Sequence, residues 1–118
     1  MTSELATRVF RIVDATDVPG FLGLLADDAE FVFANAEPLV GHDAIGAALG
    51  GFYQSIAGLG HECVHEWAVG DTTIVESTVT YARLDGQQVS VPATTIYHVT
   101  DGLIDSYRIY MDTTPVYA

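Results

Sequence analysis

From Trp67 to Asp112 apolar and polar residues alternate in long runs rich in Val, Thr, Ile and Tyr. Asp85-Gly86 and Asp101-Gly102 break the runs, and Asp-Gly between alternating segments is the strongest short hairpin signal. Gly70-Asp71 marks a further turn, so the pattern predicts antiparallel strands near 61–69, 72–83, 88–99 and 103–112. Successive side chains of a strand point to opposite faces. The odd positions are the more apolar set and are expected to face inward: His61, Cys63, His65, Trp67 and Val69, then Thr73, Val75, Ser77, Val79, Tyr81 and Arg83. They continue as Val89, Val91, Ala93, Thr95, Tyr97 and Val99, then Leu103, Asp105, Tyr107, Ile109 and Met111. The even positions, among them Glu62, Glu76, His98, Arg108 and Asp112, are expected outside. A bulge would reverse the parity beyond it.

Before residue 60 the spacing changes to that of helices. Leu5, Val9, Ile12 and Val13 form one stripe behind a Thr2 or Ser3 cap. Asp17 caps a second, short helix with Pro19 in its first turn and Phe21, Leu22, Leu24 and Leu25 on its buried side, closed by Asp27-Asp28. Ala29 to Ala34 reads as a strand, Asn35 to Gly41 as a loop, and 42–57 as a third helix with Ile45, Leu49, Phe52, Tyr53 and Ile56 at helical spacing. The tail from Thr113 is expected to be irregular. Helices followed by strands argue an α+β domain. A sheet too long for three short helices to cover must curl round them, giving a cone-shaped curved antiparallel β-sheet with an internal pocket.

The 118 residues suffice for one domain, 1–118, with one core. Four arginines, no lysine and sixteen acids give a net charge of −12, which disfavours nucleic acid and anionic membranes. The single Cys63 excludes an internal disulfide and fits a reducing cytoplasm. No apolar run reaches the ~18 residues of a membrane span, and the charged N-terminus is not a signal peptide.

The pieces LLADDAEFVF, GHDAI, GDTTIVESTVTYARLDG, VSVPATTIYHVTDGLI and YRIYMD, in this order, resemble the SnoaL-like polyketide cyclase family of the nuclear transport factor 2-like, ketosteroid isomerase-like superfold. The resemblance implies a homodimer through the outer sheet face. It does not carry over the known acid–base sets. The isomerase positions read Val9, Val32 and Thr95, the epoxide-hydrolase positions Ser77, Val79 and Ile109, and the cyclase aspartate position Ile109. Phe33-x-Asn35 is the nearest match to the hydrolases' water-positioning Tyr-x-Asn.

The expected pocket is lined by Phe33, Tyr53, Trp67, Ser77, Tyr81, Tyr97, Tyr107, Ile109 and Met111, and suits a small hydrophobic ligand; the alternative is that these side chains simply fill the core. His65 is the expected acid–base residue, an imidazole being suited to proton transfer near neutrality. Asn35 and Thr95 are expected to orient the ligand. Glu76, His98 and Asp112 belong to the outer face unless the parity is reversed. His61 and His65 would stand about 13 Å apart on a regular strand at ~3.3 Å per residue, too far to share a metal. No cofactor motif appears. These features predict a cofactor-free isomerase or cyclase; a non-catalytic binding or scaffold domain and an epoxide-hydrolase-like enzyme are the alternatives.

Overall fold

Helix α1, Glu4–Asp14, begins where Ser3 Oγ accepts the Ala6 amide at 3.1 Å, and Glu4 suits the positive end of the helix dipole. The computed structural model describes residues 3–118, so the other candidate cap, Thr2, lies outside the described residues. Ala6, Val9 and Phe10 are the buried stripe of α1. Asp17 caps α2, Val18–Leu22, accepting the Gly20 amide at 3.0 Å. Here the expectation needs correction, because α2 stops at Leu22 and Gly23 caps it. Leu24 and Leu25 belong to the sheet side instead. The Ile104 amide donates to the Leu24 carbonyl, and Leu25 pairs with Ile104. Pairing with the distant β-strand residue Ile104 overrides a helical tendency that Gly20 and Gly23 already weaken.

Strand β1, Leu25–Phe33, is therefore longer than its apolar core, and Asp27 and Asp28 stand exposed at a register irregularity within it. The expected loop contains a two-residue strand β2, Leu39–Val40, followed by α3, His42–Gln54. Then come β3, Gly58–Val69; β4, Thr72–Ala82; β5, Gln88–Thr100; and β6, Leu103–Met111. The tail folds into a helical turn, α4, Thr114–Tyr117, rather than staying irregular. The sheet order is β2-β1-β6-β5-β4-β3. The meander β3 to β6 is antiparallel as expected, but β1 joins β6 in parallel, so the curved, unclosed sheet is mixed. At the last hairpin Asp101 and Gly102 both take positive φ, 53° and 81°, the primed-turn geometry that matches strand twist.

Two bulges decide which side chains reach the interior. In β3, Cys63 pairs with Ser77 but His65 pairs with Glu76, leaving Val64 as an extra residue. The parity reverses there. His65 and Trp67 consequently lie on the outer face, stacked on each other at 5.4 Å, and Val69 is exposed as well. In β6, Ser106 pairs with His98 and Ile104 with Val99, so Asp105 is the extra residue. Ile104 is buried in place of Leu103, and Asp105 turns outward to His98 at 2.8 Å. Between the bulges the odd positions do face inward: Val75, Ser77, Val79, Tyr81, Val91, Ala93, Thr95, Tyr97 and Tyr107 are all buried. Val75, Tyr97 and Tyr107 join the main core with α1, Phe21, Leu25, Phe31, Ile45 and Leu49, while Val79, Tyr81, Val91 and Ala93 form a second cluster with Ile56 and Val116.

Candidate functional site

The inner end of the cone holds a histidine–aspartate pair. His61 lies before the β3 bulge and so faces inward, its ring stacked on Phe10 at 4.4 Å. Asp14 closes α1. Its Oδ1 is 2.6 Å from His61 Nδ1 and its Oδ2 accepts the His61 backbone N–H at 3.0 Å. β3 is a terminal strand of the sheet, and Asp14 satisfies an amide that no neighbouring strand takes up. A carboxylate only accepts, so Nδ1 carries a proton, and in the neutral ring Nε2 is the acceptor. Among the described residues no group bonds Nε2. The His61 side chain is 10% exposed and Asp14 28%.

His61 forms part of the wall of an internal cavity of ≈ 30 Å³. Of the residues expected to line a pocket, Phe33, Tyr53, Tyr81, Thr95, Tyr107, Ile109 and Met111 do so. Ser77 and Tyr97 are buried but stand outside its wall; the Ser77 hydroxyl reaches the Ala93 carbonyl at 3.5 Å, and the Tyr97 hydroxyl has no partner among the described residues. Trp67 is 49% exposed on the far side of the sheet. The His65 side chain is 63% exposed and meets Glu76 at 3.0 Å, so its expected place in the pocket is corrected by the Val64 bulge. Asn35 is exposed and borders a separate groove of ≈ 280 Å³ at the mouth of the cone. Glu76, His98 and Asp112 occupy the outer side; Asp112 accepts the Thr114 amide at 2.9 Å, which holds its carboxyl below the usual range.

The cavity is rich in phenols that stay protonated. Burial, then the neighbouring Asp14 carboxylate, pushes the Tyr53 phenol up to about 12. Burial raises Tyr81 strongly, with the charges of Tyr117, Tyr53 and Asp14 acting in the same sense. Tyr107 is raised most by burial, hydrogen bonding with Thr95 opposing it. Among the described residues the Tyr81 hydroxyl donates only to the Met111 sulfur, at 3.4 Å, a weak acceptor that a ligand oxygen would replace. Among the described residues no three His, Cys, Asp or Glu side chains converge as metal ligands, and no helix is long and apolar enough to cross a membrane. A cavity wall that carries an imidazole with one nitrogen anchored and several neutral phenols holds the groups needed to take a proton and to stabilise an oxyanion.

Solved structures with this architecture are numerous. A ketosteroid isomerase-like protein from Catenulispora acidiphila DSM 44928, in complex with trimethylamine, superimposes with TM-score 0.84 at 19% identity, over 93% of this chain and 86% of that one. TerC, co-crystallised with polyporic acid, gives TM-score 0.82 at 18% identity, covering 92% and 89%. SalBIII, an epoxide hydrolase/cyclase-like enzyme of pyran ring formation in salinomycin, gives 0.80 at 19%, covering 94% and 90%. Among curated proteins none matches the sequence. Residues 6–107 match the SnoaL-like domain family, and solved structures of SnoaL-like proteins share the curved sheet over N-terminal helices. The chain belongs to the SnoaL-like domain family.

Proposed function

We propose that this domain is a cofactor-independent acid–base enzyme of the isomerase or cyclase type, acting on a small neutral carbonyl compound. The observation that carries this reading is the His61–Asp14 pair at the cavity wall. His61 Nε2 takes a proton from the carbon next to the carbonyl, and the carbonyl oxygen becomes an enolate oxygen. Tyr53, Tyr81 or Tyr107 donates a hydrogen bond to that oxygen. Return of the proton to the same or another carbon completes exchange or isomerisation. Attack of the enolate carbon on a second carbonyl, whose oxygen then takes the proton, closes a ring. Asp14 holds the imidazole's orientation and tautomer and balances the imidazolium. That a cyclase-like neighbour of the same fold is named for pyran ring formation fits a ring-closing role.

The test is α-proton exchange in D2O, followed by proton NMR with cyclopentanone and 1-indanone as probes. Saturable exchange above the buffer rate is expected, with the same rate in His65→Gln, since His65 faces solvent. Saturable binding with exchange no faster than buffer would identify a binding domain instead, and loss of exchange in His65→Gln would overturn the assignment of the base.

We propose further that the protein is a homodimer through the outer sheet face. Trp67 pairs with Ile74, and Ile74 with Ile96, forming an apolar band beside the exposed Val64 and Tyr110. Such patches mark partner surfaces. Light scattering is expected to give twice the chain mass of 12.6 kDa, and Trp67→Glu to give the monomer. A monomeric wild type at micromolar concentration removes this proposal.

A further inference from the structure

The outer face of the sheet carries two histidine–acid pairs that the proton-transfer site does not use. His98 on β5 meets Asp105 on β6, Nδ1 to Oδ1, at 2.8 Å. Thr100 Oγ1 donates to the other oxygen of Asp105 at 2.7 Å. His65, turned outward by the Val64 bulge, meets Glu76 on β4, Nδ1 to Oε1, at 3.0 Å. A carboxylate only accepts, so Nδ1 donates in both pairs and Nε2 is the position that takes a further proton. Among the described residues no group bonds either Nε2. The His65 and His98 side chains are 63% and 44% exposed, so both rings are open to solvent protons.

The pairs flank the apolar band of the proposed dimer contact. Strand register sets Trp67, Ile74, Ile96 and Arg108 in one row across the sheet. His65, Glu76, Thr94 and Tyr110 form the row on one side of it, and Val69, Thr72, His98 and Ser106 the row on the other. The helices pack on the opposite face, so what comes to lie over these rows is the partner. The charges here are lopsided. Glu76 and Asp105 touch the rings, Glu30, Glu62 and Asp112 lie on the same face, and Asp71 and Asp101 sit in the turns beside His98. Arg108 is the one arginine among them, and it meets Glu30 at 3.4 Å. Hydrogen bonds from Thr100 and then His98 hold the Asp105 carboxyl below the usual carboxylate range, so it remains an anion through neutrality.

A two-fold contact through this face sets the same carboxylates of both copies near one another and removes water that screens them. Near pH 8 neutral imidazoles offset none of that charge. Near pH 6 an imidazole gains a proton, and each pair becomes a cation beside an anion. We infer that the homodimer is pH-gated, with protonation of His65 and His98 tightening it. The dimer holds those protons more firmly than the separate chains, because its crowded carboxylates need the cations more. A state that binds more protons is favoured as pH falls. This regulation rests on the proposed dimer and is independent of the His61 chemistry.

Sedimentation equilibrium of the full chain gives the dimer Kd at pH 8 and pH 6 in the same salt. Net uptake of one proton per dimer moves Kd by up to about tenfold per pH unit. A fall of about tenfold or more between pH 8 and pH 6 is therefore expected in the wild type. In the double variant His65→Gln, His98→Gln the two values are expected to agree within about twofold. Glu76→Gln approaches the same point from the anion side and is expected to tighten the dimer about threefold or more at pH 8. A wild-type dimer with the same Kd at both pH values overturns the gate and leaves the dimer standing. A pH dependence that survives both glutamines together with an unchanged Kd in Glu76→Gln also overturns it. A monomer at both pH values ends the dimer reading and the gate with it.

Discussion

Replacing His61 by glutamine is expected to lower kcat/KM for α-proton exchange by about 10²-fold or more, the usual weight of a positioned general base. Glutamine keeps the size and a hydrogen-bonding end but has no nitrogen lone pair able to take a proton. The loss is expected in kcat, with KM within about threefold, because the proton transfer is made only in the transition state. Asp14→Asn separates position from charge. Asparagine keeps an oxygen for the His61 backbone N–H, which now bonds Oδ2 at 3.0 Å. It no longer presents an anion to Nδ1, now 2.6 Å away. A fall in kcat of about tenfold or more with KM kept is expected. Full exchange activity in His61→Gln would end the acid–base reading, and full activity in Asp14→Asn would remove Asp14 from it.

Phe21→Ala is expected to cost about 3–5 kcal/mol of folding stability, read from urea unfolding. Phe21 is 1% exposed and meets Phe31 edge-on at 6.0 Å and Tyr107 at 5.0 Å. It is the contact through which the short α2 grips the sheet. Its removal leaves a void that two flanking rings, stacked on each other at 5.7 Å, cannot both fill. A domain of this size has roughly 5–15 kcal/mol in all, so the variant is expected to be partly unfolded near body temperature. A cost below about 1 kcal/mol would mean that the site collapses freely and that α2 contributes little.

What could be read from residue order alone was local. Asp101-Gly102, Asp17 and Ser3 announced a hairpin and two helix starts through their own backbone chemistry, and the structure uses each of them so. Alternation placed Tyr81, Thr95, Tyr107 and Ile109 on the cavity wall. The bulges were not legible. Val64 is a good strand residue with nothing to mark it as the one left over, and its effect is felt only at His65 and Trp67 beyond it. The parallel pairing of β1 with β6 joins segments far apart in the chain and leaves no local trace. Asp14 did leave one. An acid in the last turn of a helix opposes the dipole, and Asp14 follows Phe10 by four residues on the buried stripe. Such a residue asks for a specific partner, and His61, already on the inward set, was available.

Helix α1 is stapled to β3 at both ends, through the Ser3 amide to Glu66 at 2.7 Å and through Asp14 to His61. β3 is the last strand of an open sheet, and bare strand edges recruit other chains into aggregates. The carboxylate that steadies the imidazole thus also helps shield this rim from fibril-like growth. On the proposed mechanism, solubility and turnover are tied to one side chain, so drift at residue 14 is penalised twice.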